Sequence, residues 1–278
     1  MIIWIASYPK SGNTYIRSFL SAYYFSKDGN FNFELLKNIK QFPNVEFFEE
    51  PFEGAEQASK NWLIAQKMIK DKKKVFFLKT HSCLGLFKGK PFTTPEYSLG
   101  GIYIVRDPRN VITSVKNHFS LDEEGAYKFI TDINTNAKEL YSKDYRTWVL
   151  LSNWSNHYRS WVKSKNFRKL LIKYEDFEDN KYRTFRDIII FVNTLMNNTE
   201  RVDEAKLEKA IESTNFNVLK NKEKNEGFEE AAYSKDEQKK KVFFNLGFNN
   251  RWKNLLNDDM RKKIENEFNS EMKELNYL

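Results

Sequence analysis

The sequence contains one cysteine, Cys83, in 278 residues. A single cysteine excludes an internal disulfide framework and is typical of a reducing compartment. No apolar run approaches the roughly 20 residues that a membrane span requires, and the mean hydropathy is −0.70. The apolar residues 1–5 have no basic leader and no small-residue cleavage site after them, so they indicate a strand and not a signal peptide. We therefore expect a soluble, cytoplasmic protein.

The composition leaves the ligand class open. Lysine and arginine outnumber the acidic residues by 46 − 38 = 8, which favours anionic partners such as a nucleotide, a nucleic acid or a membrane surface. Much of this excess lies in the short runs 72–74 and 239–241, which are more typical of solvated faces. The chain has 14 Tyr, 6 Trp and 24 Phe, which suits stacking on bases, but their spacing favours a core.

Apolar runs alternate with helical patterns through the first two thirds of the chain. The runs, each ending abruptly in polar residues, are 2–6, 75–78, 102–105 and 170–172. Helical periodicity falls on 14–26, 57–70, 111–119, 123–140 and 145–164. This alternation predicts an α/β fold with a central parallel sheet flanked by helices. The length suits one large domain, and we expect residues 1–278 to form a single domain without internal repeats.

The last third of the sequence is mainly helical in pattern. Helices are predicted over 182–195 and 204–213, and a final helix carries an apolar stripe capped by Asn257 or Asp258. The stripe consists of Met260, Ile264, Phe268, Met272 and Leu275. Segment 217–242 is polar with little periodicity and is predicted to be a loop. Residues 27–56 are predicted to form an irregular excursion over the sheet.

The residues after the first strand resemble a phosphate-binding loop in outline. Ligands of parallel α/β sheets bind at the carboxyl ends of the strands, and residues 7–14 read Ser-Tyr-Pro-Lys-Ser-Gly-Asn-Thr. Gly12 permits close approach of the backbone, the helix N-terminus aims N–H groups at an anion, and Lys10 adds a charge. A Walker A loop has its lysine after the second glycine, whereas Lys10 precedes Gly12. Taken alone, the segment is equally typical of an ordinary connection with a solvated lysine.

Polar side chains also follow the other three predicted strands. They are Lys79, Thr80 and His81 after the second strand, Arg106 after the third with Ser114 eight residues on, and Tyr174, Glu175 and Asp176 after the fourth. Taken singly, a strand-end histidine is more often structural, and Arg106 beside Asp107 is compatible with a surface pair. Together, cations from three strand ends and one histidine predict a single cleft with a binding and catalytic function.

These residues resemble the sulfotransferases that use 3′-phosphoadenosine 5′-phosphosulfate (PAPS), especially the cytosolic type. Residues 8–15 are similar to the family's 5′-phosphosulfate loop, usually Tyr-Pro-Lys-Ser-Gly-Thr-Thr-Trp. Lys79, Thr80 and His81 match the strand end that carries the family's catalytic histidine, and Arg106 with Ser114 matches the pair that holds the 3′-phosphate. Residues 174–176 and 248–253 match more loosely, so the resemblance covers nearly the whole chain.

The resemblance implies a P-loop-like sulfotransferase fold and in-line transfer of a sulfuryl group from PAPS to a hydroxyl or amine of a small-molecule acceptor. It implies that His81 is the general base and that Lys10 and Lys79 neutralise the developing charge. The donor-binding residues that it implies are Lys10, Ser11, Gly12, Asn13, Thr14, Tyr15, Arg106, Ser114, Tyr174 and Gly247. No metal is expected, because a sulfuryl group carries less negative charge than a phosphoryl group and the acidic pair 175–176 has no metal role in the family.

The sequence departs from the family pattern at two places. Tyr15 replaces the usual tryptophan, which leaves a smaller ring for adenine stacking. Asn245 and Leu246 stand before Gly247 where the family has Arg-Lys, so two phosphate-binding cations are missing. The sequence leaves open whether Lys241, Arg251 or a lysine of the 220–241 segment substitutes for them.

Two other classes of function compete with this interpretation. A P-loop kinase shares the broad fold class, but the lysine position and the missing Gly-Lys-Ser/Thr argue against it. A non-catalytic binder of nucleotides, nucleic acid or anionic surfaces leaves His81 and the strand-end pattern unexplained. We therefore expect neither a nucleic acid nor a membrane as partner. The acceptor pocket is expected in the variable loops 27–56, 82–98 and 120–145, which do not identify the acceptor, and the oligomeric state is not predicted.

Overall fold

The computed structural model describes residues 1–136, 144–231 and 241–278, and its centre is a five-stranded parallel sheet. The strands in chain order are β1 (Ile2–Ser7), β2 (Ile39–Gln41), β3 (Phe76–Thr80), β4 (Leu86–Phe87), β5 (Lys90–Pro91), β6 (Ser98–Val105) and β7 (Lys169–Lys173). The sheet has the order β2-β3-β1-β6-β7 with every pairing parallel, while β4 and β5 form a small antiparallel hairpin.

Helices connect the strands and cover the sheet. They are α1 (Asn13–Phe25), α2 (Ala55–Asp71), α3 (Pro108–Phe119), α4 (Glu123–Thr131), α5 (Trp154–Lys163), α6 (Asp176–Asp179), α7 (Lys181–Leu195), α8 (Glu204–Ser213), α9 (Phe216–Glu226), α10 (Trp252–Leu255), α11 (Asp258–Glu267) and α12 (Asn269–Glu274). Short 3₁₀ turns cover Phe33–Asn38, Val45–Phe47, Tyr145–Thr147 and Gly247–Asn249.

The central strand β1 explains why the sheet is covered on both sides. All six of its residues are buried, and successive side chains of a strand point to opposite faces. Trp4 belongs to the core cluster formed with α2, α3, α5, α11 and α12, whereas Ile3 and Ile5 belong to the cluster formed with α1, α7 and α8. Strands buried on both faces read as continuous apolar runs, which is the pattern of residues 2–6.

The structure confirms the predicted α/β class and contains all four predicted strands. To the central sheet it adds a fifth strand, β2, which lies inside the segment 27–56 that the sequence predicted to be irregular. β2 has only three residues and pairs with β3 at the edge of the sheet, so it carries too short a pattern to detect. That prediction was wrong at residues 39–41.

Two predicted helices have different bounds in the structure. The helix predicted over 145–164 begins only at Trp154, where the Asn153 side chain accepts a hydrogen bond from Asn156 N at 2.8 Å. The preceding residues 145–147 form a 3₁₀ turn. The helix predicted over 123–140 ends at Thr131, and its positions 137–140 lie outside the described residues.

The prediction of a loop over 217–242 was wrong in its first part. Residues Phe216–Glu226 form α9, and among them only Leu219 is buried, so the helix shows little apolar periodicity. Residues 232–240 of this segment lie outside the described residues. The apolar stripe at the C-terminus is buried as expected, but it spans two helices, α11 and α12, that meet at Phe268.

Asn257 is the residue that caps α11, because its side chain accepts a hydrogen bond from Met260 N at 2.8 Å. Within the described parts of the chain, no helix combines the length and the apolar character needed to cross a lipid bilayer.

A buried ion network ties the C-terminal helices to the sheet. Arg109, near the start of α3, bonds to Asp107 and to Glu265 of α11, each at 2.7 Å, and donates to Tyr277 O at 2.8 Å. Its guanidinium also lies 4.1 Å from the centre of the Trp252 ring. The Arg109 side chain is only 6% exposed, so removing it would leave two carboxylates poorly compensated.

Replacing Arg109 with methionine should therefore destabilise the protein strongly. We expect the free energy of unfolding to fall by about 3–5 kcal/mol, the usual cost of breaking a buried ion pair. Urea denaturation measures this change. Arg183→Met is the matched control, because Arg183 is 79% exposed with an ion partner 3.8 Å away, and it should change stability by less than about 1 kcal/mol. Equal losses for both variants would contradict a structural role for the network.

Candidate active site

A cleft of about 1510 Å³ opens at the carboxyl edge of the parallel sheet. The predicted site residues that line it are Lys10, Gly12, Asn13, Thr14, Tyr15, Lys79, His81, Arg106, Ser114, Tyr174 and Gly247. Ser11 lies below the surface of the cleft, and its buried hydroxyl has no hydrogen-bond partner among the described residues. The fold thus brings together residues that are far apart in the sequence.

The loop between β1 and α1 has a backbone that its sequence makes possible. Gly12 has φ 98°, and a Cβ built there would lie 2.4 Å from Cδ2 of Tyr174. Both the left-handed conformation and the close approach of Tyr174 require glycine. The Asn13 side chain anchors the loop to β1, since its Nδ2 donates to Ile5 O at 3.0 Å and to Ser7 Oγ at 3.2 Å.

Lys10 is half-buried beside other cations. Burial, followed by the positive charges of Lys79 and Arg106, lowers the pKa of Lys10 to about 7. Its ammonium group lies 4.5 Å from the centre of the Phe243 ring, and no salt bridge to it occurs in the parts of the chain that are described. An anion entering the cleft would stabilise the protonated form of this lysine.

His81 lines the cleft, and a hydrogen bond fixes which of its ring nitrogens carries the proton. Its Nδ1 donates to Ser7 O at 2.7 Å, so the neutral ring carries its proton on Nδ1 and leaves Nε2 as an acceptor. No partner of Nε2 is found among residues 1–136, 144–231 and 241–278. Burial, and then the charge of Lys79, lowers the pKa of His81 to about 3. The imidazole is therefore neutral at ordinary pH, with Nε2 unprotonated.

His157 of α5 supports the backbone of His81 from the core. Its Nε2 donates to His81 O at 3.0 Å, and its Nδ1 lies 2.9 Å from the hydroxyl of Tyr103 in β6. The backbone of His81 is thus anchored to α5, while its ring is anchored to β1 through Ser7.

Arg106 connects three segments around the cleft. Its NH1 donates to Lys10 O at 3.2 Å and its NH2 donates to Gly247 O at 3.4 Å. The guanidinium lies 4.2 Å from the centre of the Tyr174 ring, and its buried Nε has no partner in the described part of the chain. Ser114, from α3, lines the same cleft. This side of the cleft is equipped to receive a second anionic group.

The aromatic residues predicted near a base differ in accessibility. Tyr15 is buried, with edge contacts to Phe177 at 5.4 Å and Phe185 at 5.5 Å between ring centres. Tyr174 contacts both Arg106 and Phe248, and its ring centre lies 5.1 Å from that of Phe248 at an interplanar angle of 30°. Both tyrosines reach the cleft, and contact of either ring with adenine stays a prediction.

The C-terminal segment reaches the cleft through Gly247, which has φ 54°. A Cβ at this position would lie 2.6 Å from Cε2 of Phe216, so glycine permits the close contact with α9. Lys241 lines the cleft and donates to Asn117 O at 2.8 Å. Arg251 is exposed and pairs with Glu178 at 3.6 Å.

Sequence reasoning missed two charged residues in the cleft, Arg17 and Glu230. Glu230 accepts from Arg17 at 2.6 Å and from Lys79 at 3.2 Å. Arg17 stands three residues after Thr14 and so shares its face of α1, a signal that was available in the sequence. Glu230 gave no such signal, because it is separated from Arg17 by 213 residues.

The chain belongs to the sulfotransferase domain family, whose family model matches residues 2–276. Mouse sulfotransferase 1E1 is 26% identical over 277 residues, covering 97% of this chain and 83% of that protein. Mouse sulfotransferase 1 family member D1 is 23% identical over 279 residues, covering 98% of this chain and 83% of that protein. These findings confirm the predicted family and the prediction of a PAPS-dependent sulfotransferase, and they do not favour the kinase or binding-module alternatives.

Solved structures show the same fold. A mouse sulfotransferase, SULT7A1, complexed with PAP matches with a TM-score of 0.59 and 16% identity, covering 98% of this chain and 84% of the other. Retinol dehydratase in complex with androsterone and the inactive cofactor PAP matches with a TM-score of 0.58 and 16% identity, covering 98% and 80%. These likenesses confirm the predicted sulfotransferase fold.

The low pKa of Lys10 makes anion binding a proton-coupled event. At about pH 8 much of the free lysine is neutral, and a bound anion raises its pKa above the pH of the solution. Binding of 3′-phosphoadenosine 5′-phosphate (PAP) at that pH should therefore take up close to one proton, and affinity should fall as the pH rises above 7. Calorimetry in buffers of different ionisation enthalpy measures the uptake. Lys10→Met should take up clearly fewer protons, and equal uptake by the two proteins would contradict this assignment.

Proposed function

We propose that this sulfotransferase transfers the sulfuryl group of PAPS to a hydroxyl or amine of a small-molecule acceptor at the cleft described above. The observation that carries the proposal is the neutral His81 ring beside Lys79, with Nδ1 bonded to Ser7 O and Nε2 free among the described residues to accept a proton. The complex of retinol dehydratase with androsterone supports a small-molecule acceptor.

The proposed reaction is an in-line displacement at sulfur. His81 Nε2 takes the proton of the acceptor while the acceptor oxygen or nitrogen forms its bond to sulfur. The bond between sulfur and the bridging oxygen breaks, and PAP leaves with the electron pair. Lys10 and Lys79 neutralise the charge that develops on the bridging and sulfuryl oxygens, and the burial of Lys79 strengthens its part of this interaction.

The second anionic group of the donor, its 3′-phosphate, is assigned to Arg106 and Ser114. Arg106 has unused donor capacity at its Nε, and Ser114 lies on the facing helix α3. Lys241 is the substitute for the missing Arg-Lys pair that the geometry supports best, since it lines the cleft. Arg251, by comparison, is exposed, is not among the described residues that line the cleft, and pairs with Glu178.

The proposal includes no metal ion. The acidic pair after β7 is engaged in structural bonds, because Glu175 accepts from Asp107 N at 3.3 Å and from the Tyr277 hydroxyl at 2.8 Å. Asp176 accepts from Lys173 N at 2.9 Å. We further propose that residues 1–278 form a single sulfotransferase domain and that the protein acts in the cytoplasm on a small molecule, without nucleic acid or membrane as partner.

Nucleotide preference tests the proposed donor directly. We expect the protein to bind PAP more tightly than ATP, because separate sites in the cleft are assigned to a 5′ anion and a 3′-phosphate. An excess of chelator should leave PAP affinity unchanged. Isothermal titration calorimetry with both nucleotides measures this preference. Tighter binding of ATP that depends on Mg²⁺ would instead support a kinase.

Two substitutions should separate chemistry from binding. His81→Ala should lower turnover by about 10² to 10⁴, the usual contribution of a general base, with PAP affinity nearly unchanged. Arg106→Ala should weaken PAP binding by about 10- to 150-fold, the loss of a charge-assisted contact. An acceptor screen with labelled donor supplies the substrate for these assays. Near-normal turnover of His81→Ala on that acceptor would show that the proposed base is wrong.

A further inference from the structure

Three side chains of the cleft converge on the carboxylate of Glu230. Arg17 NH1 lies 2.6 Å from its Oε1, while Lys79 Nζ lies 3.2 Å and Thr14 Oγ1 lies 3.5 Å from its Oε2. We call Thr14, Arg17 and Lys79 the anion cage. Two of its members, Thr14 and Lys79, are also residues assigned above to the donor, so the cage and the proposed donor site share atoms.

The two cations of the anion cage are built into the fold. The Arg17 side chain is 4% exposed and that of Lys79 is 10% exposed. Arg17 NH2 donates to Ile39 O of the edge strand β2 at 2.9 Å, and its buried Nε has no partner in the described ranges. Two buried cations side by side are costly unless an anion compensates them. The cage therefore requires a negative ligand in every state of the protein.

Glu230 is the replaceable partner in this arrangement. Its side chain is 32% exposed, far more than either cation. Burial acts to raise the pKa of Glu230, but the charges of Lys79 and Arg17 hold it below the ordinary range, so the carboxylate is ionised. Carboxylate, phosphate and sulfate oxygens all accept charge-assisted hydrogen bonds from arginine and lysine. A stronger anion can therefore take its place.

We propose that Arg17 is a further anion-binding residue of the donor site, and that Glu230 is an internal counter-ion which the phosphosulfate group of the donor displaces. This inference rests on the proposed function. Before binding, Glu230 compensates Arg17 and Lys79; after binding, the donor does so. In the unbound protein, the cage is free of Glu230 in only a fraction of the molecules. The apparent affinity of the donor is lowered in proportion to that fraction. A nucleotide without a 5′ anion gains nothing from the cage and does not compete with Glu230.

Glu230→Gln tests the counter-ion role with two ligands. PAPS in the absence of acceptor carries the 5′ anion, whereas adenosine 3′-phosphate lacks it. We expect the variant to bind PAPS roughly 5- to 50-fold more tightly than the wild type does, a range typical of coupled binding. Its affinity for adenosine 3′-phosphate should not change. Calorimetry measures both affinities, and thermal melting checks that the variant is folded.

Glu229→Gln is the matched control, since it removes the same charge from the neighbouring, exposed position. It should leave both affinities unchanged, which excludes an effect of net charge. Arg17→Lys retains a positive charge, but a single ammonium group cannot bond to Ile39 O and to the ligand in the way that the guanidinium does. This variant should bind PAPS about tenfold or more weakly.

The outcomes distinguish a failure of the proposed function from a failure of the counter-ion role alone. If the wild type does not bind PAPS, both the proposed function and the counter-ion role are overturned. If the wild type binds PAPS and Glu230→Gln has the same affinity, the counter-ion role alone is overturned. Equal tightening of PAPS and adenosine 3′-phosphate would also overturn it, because the effect would then not involve the 5′ anion.

Discussion

The structure of the cleft depends on one constraint, the concentration of four cations, three of them buried, at a single edge of the sheet. Lys10, Lys79 and Arg106 come from three different strand ends, and Arg17 joins them from the first helix. Like charges held together away from water lose hydration and repel one another. Both effects lower the pKa of Lys10. In the unliganded protein Glu230 compensates Arg17 and Lys79, and an anion that enters the cleft would stabilise the arrangement further.

The topology of the sheet makes this arrangement possible. In the order β2-β3-β1-β6-β7 the strands that end in site residues are neighbours, and all of them are parallel. The polar residues at the ends of these strands therefore lie next to one another at the same edge of the sheet. Arg106 then links the loop after β1 to the C-terminal segment by donating to Lys10 O and Gly247 O. The same side chain thus positions the backbone and presents charge to the cleft, which couples the shape of the site to its electrostatics.

The features predictable from the sequence are those with a local pattern. Residues 2–6 form an apolar run with polar residues directly after it, so both the strand and its functional end could be inferred. The partnership of Glu230 with Arg17 depends on a contact across 213 residues and has no local signature. Helix α9 escaped prediction because only Leu219 is buried, and an exposed helix has no apolar period to recognise. Tertiary contacts therefore decided the parts of the site that the sequence left undetermined.

The cations that we propose to bind the donor also act on the proposed base. Besides burial, the charge of Lys79 lowers the pKa of His81, which keeps the ring neutral but also makes it a weak proton acceptor. The anionic donor opposes the field of Lys79 and so raises the proton affinity of His81 Nε2. In the proposed mechanism an anionic donor therefore strengthens His81 as a base, so proton abstraction from an acceptor is favoured when the donor site is occupied. In this proposal the same charges serve both donor binding and the protonation of His81.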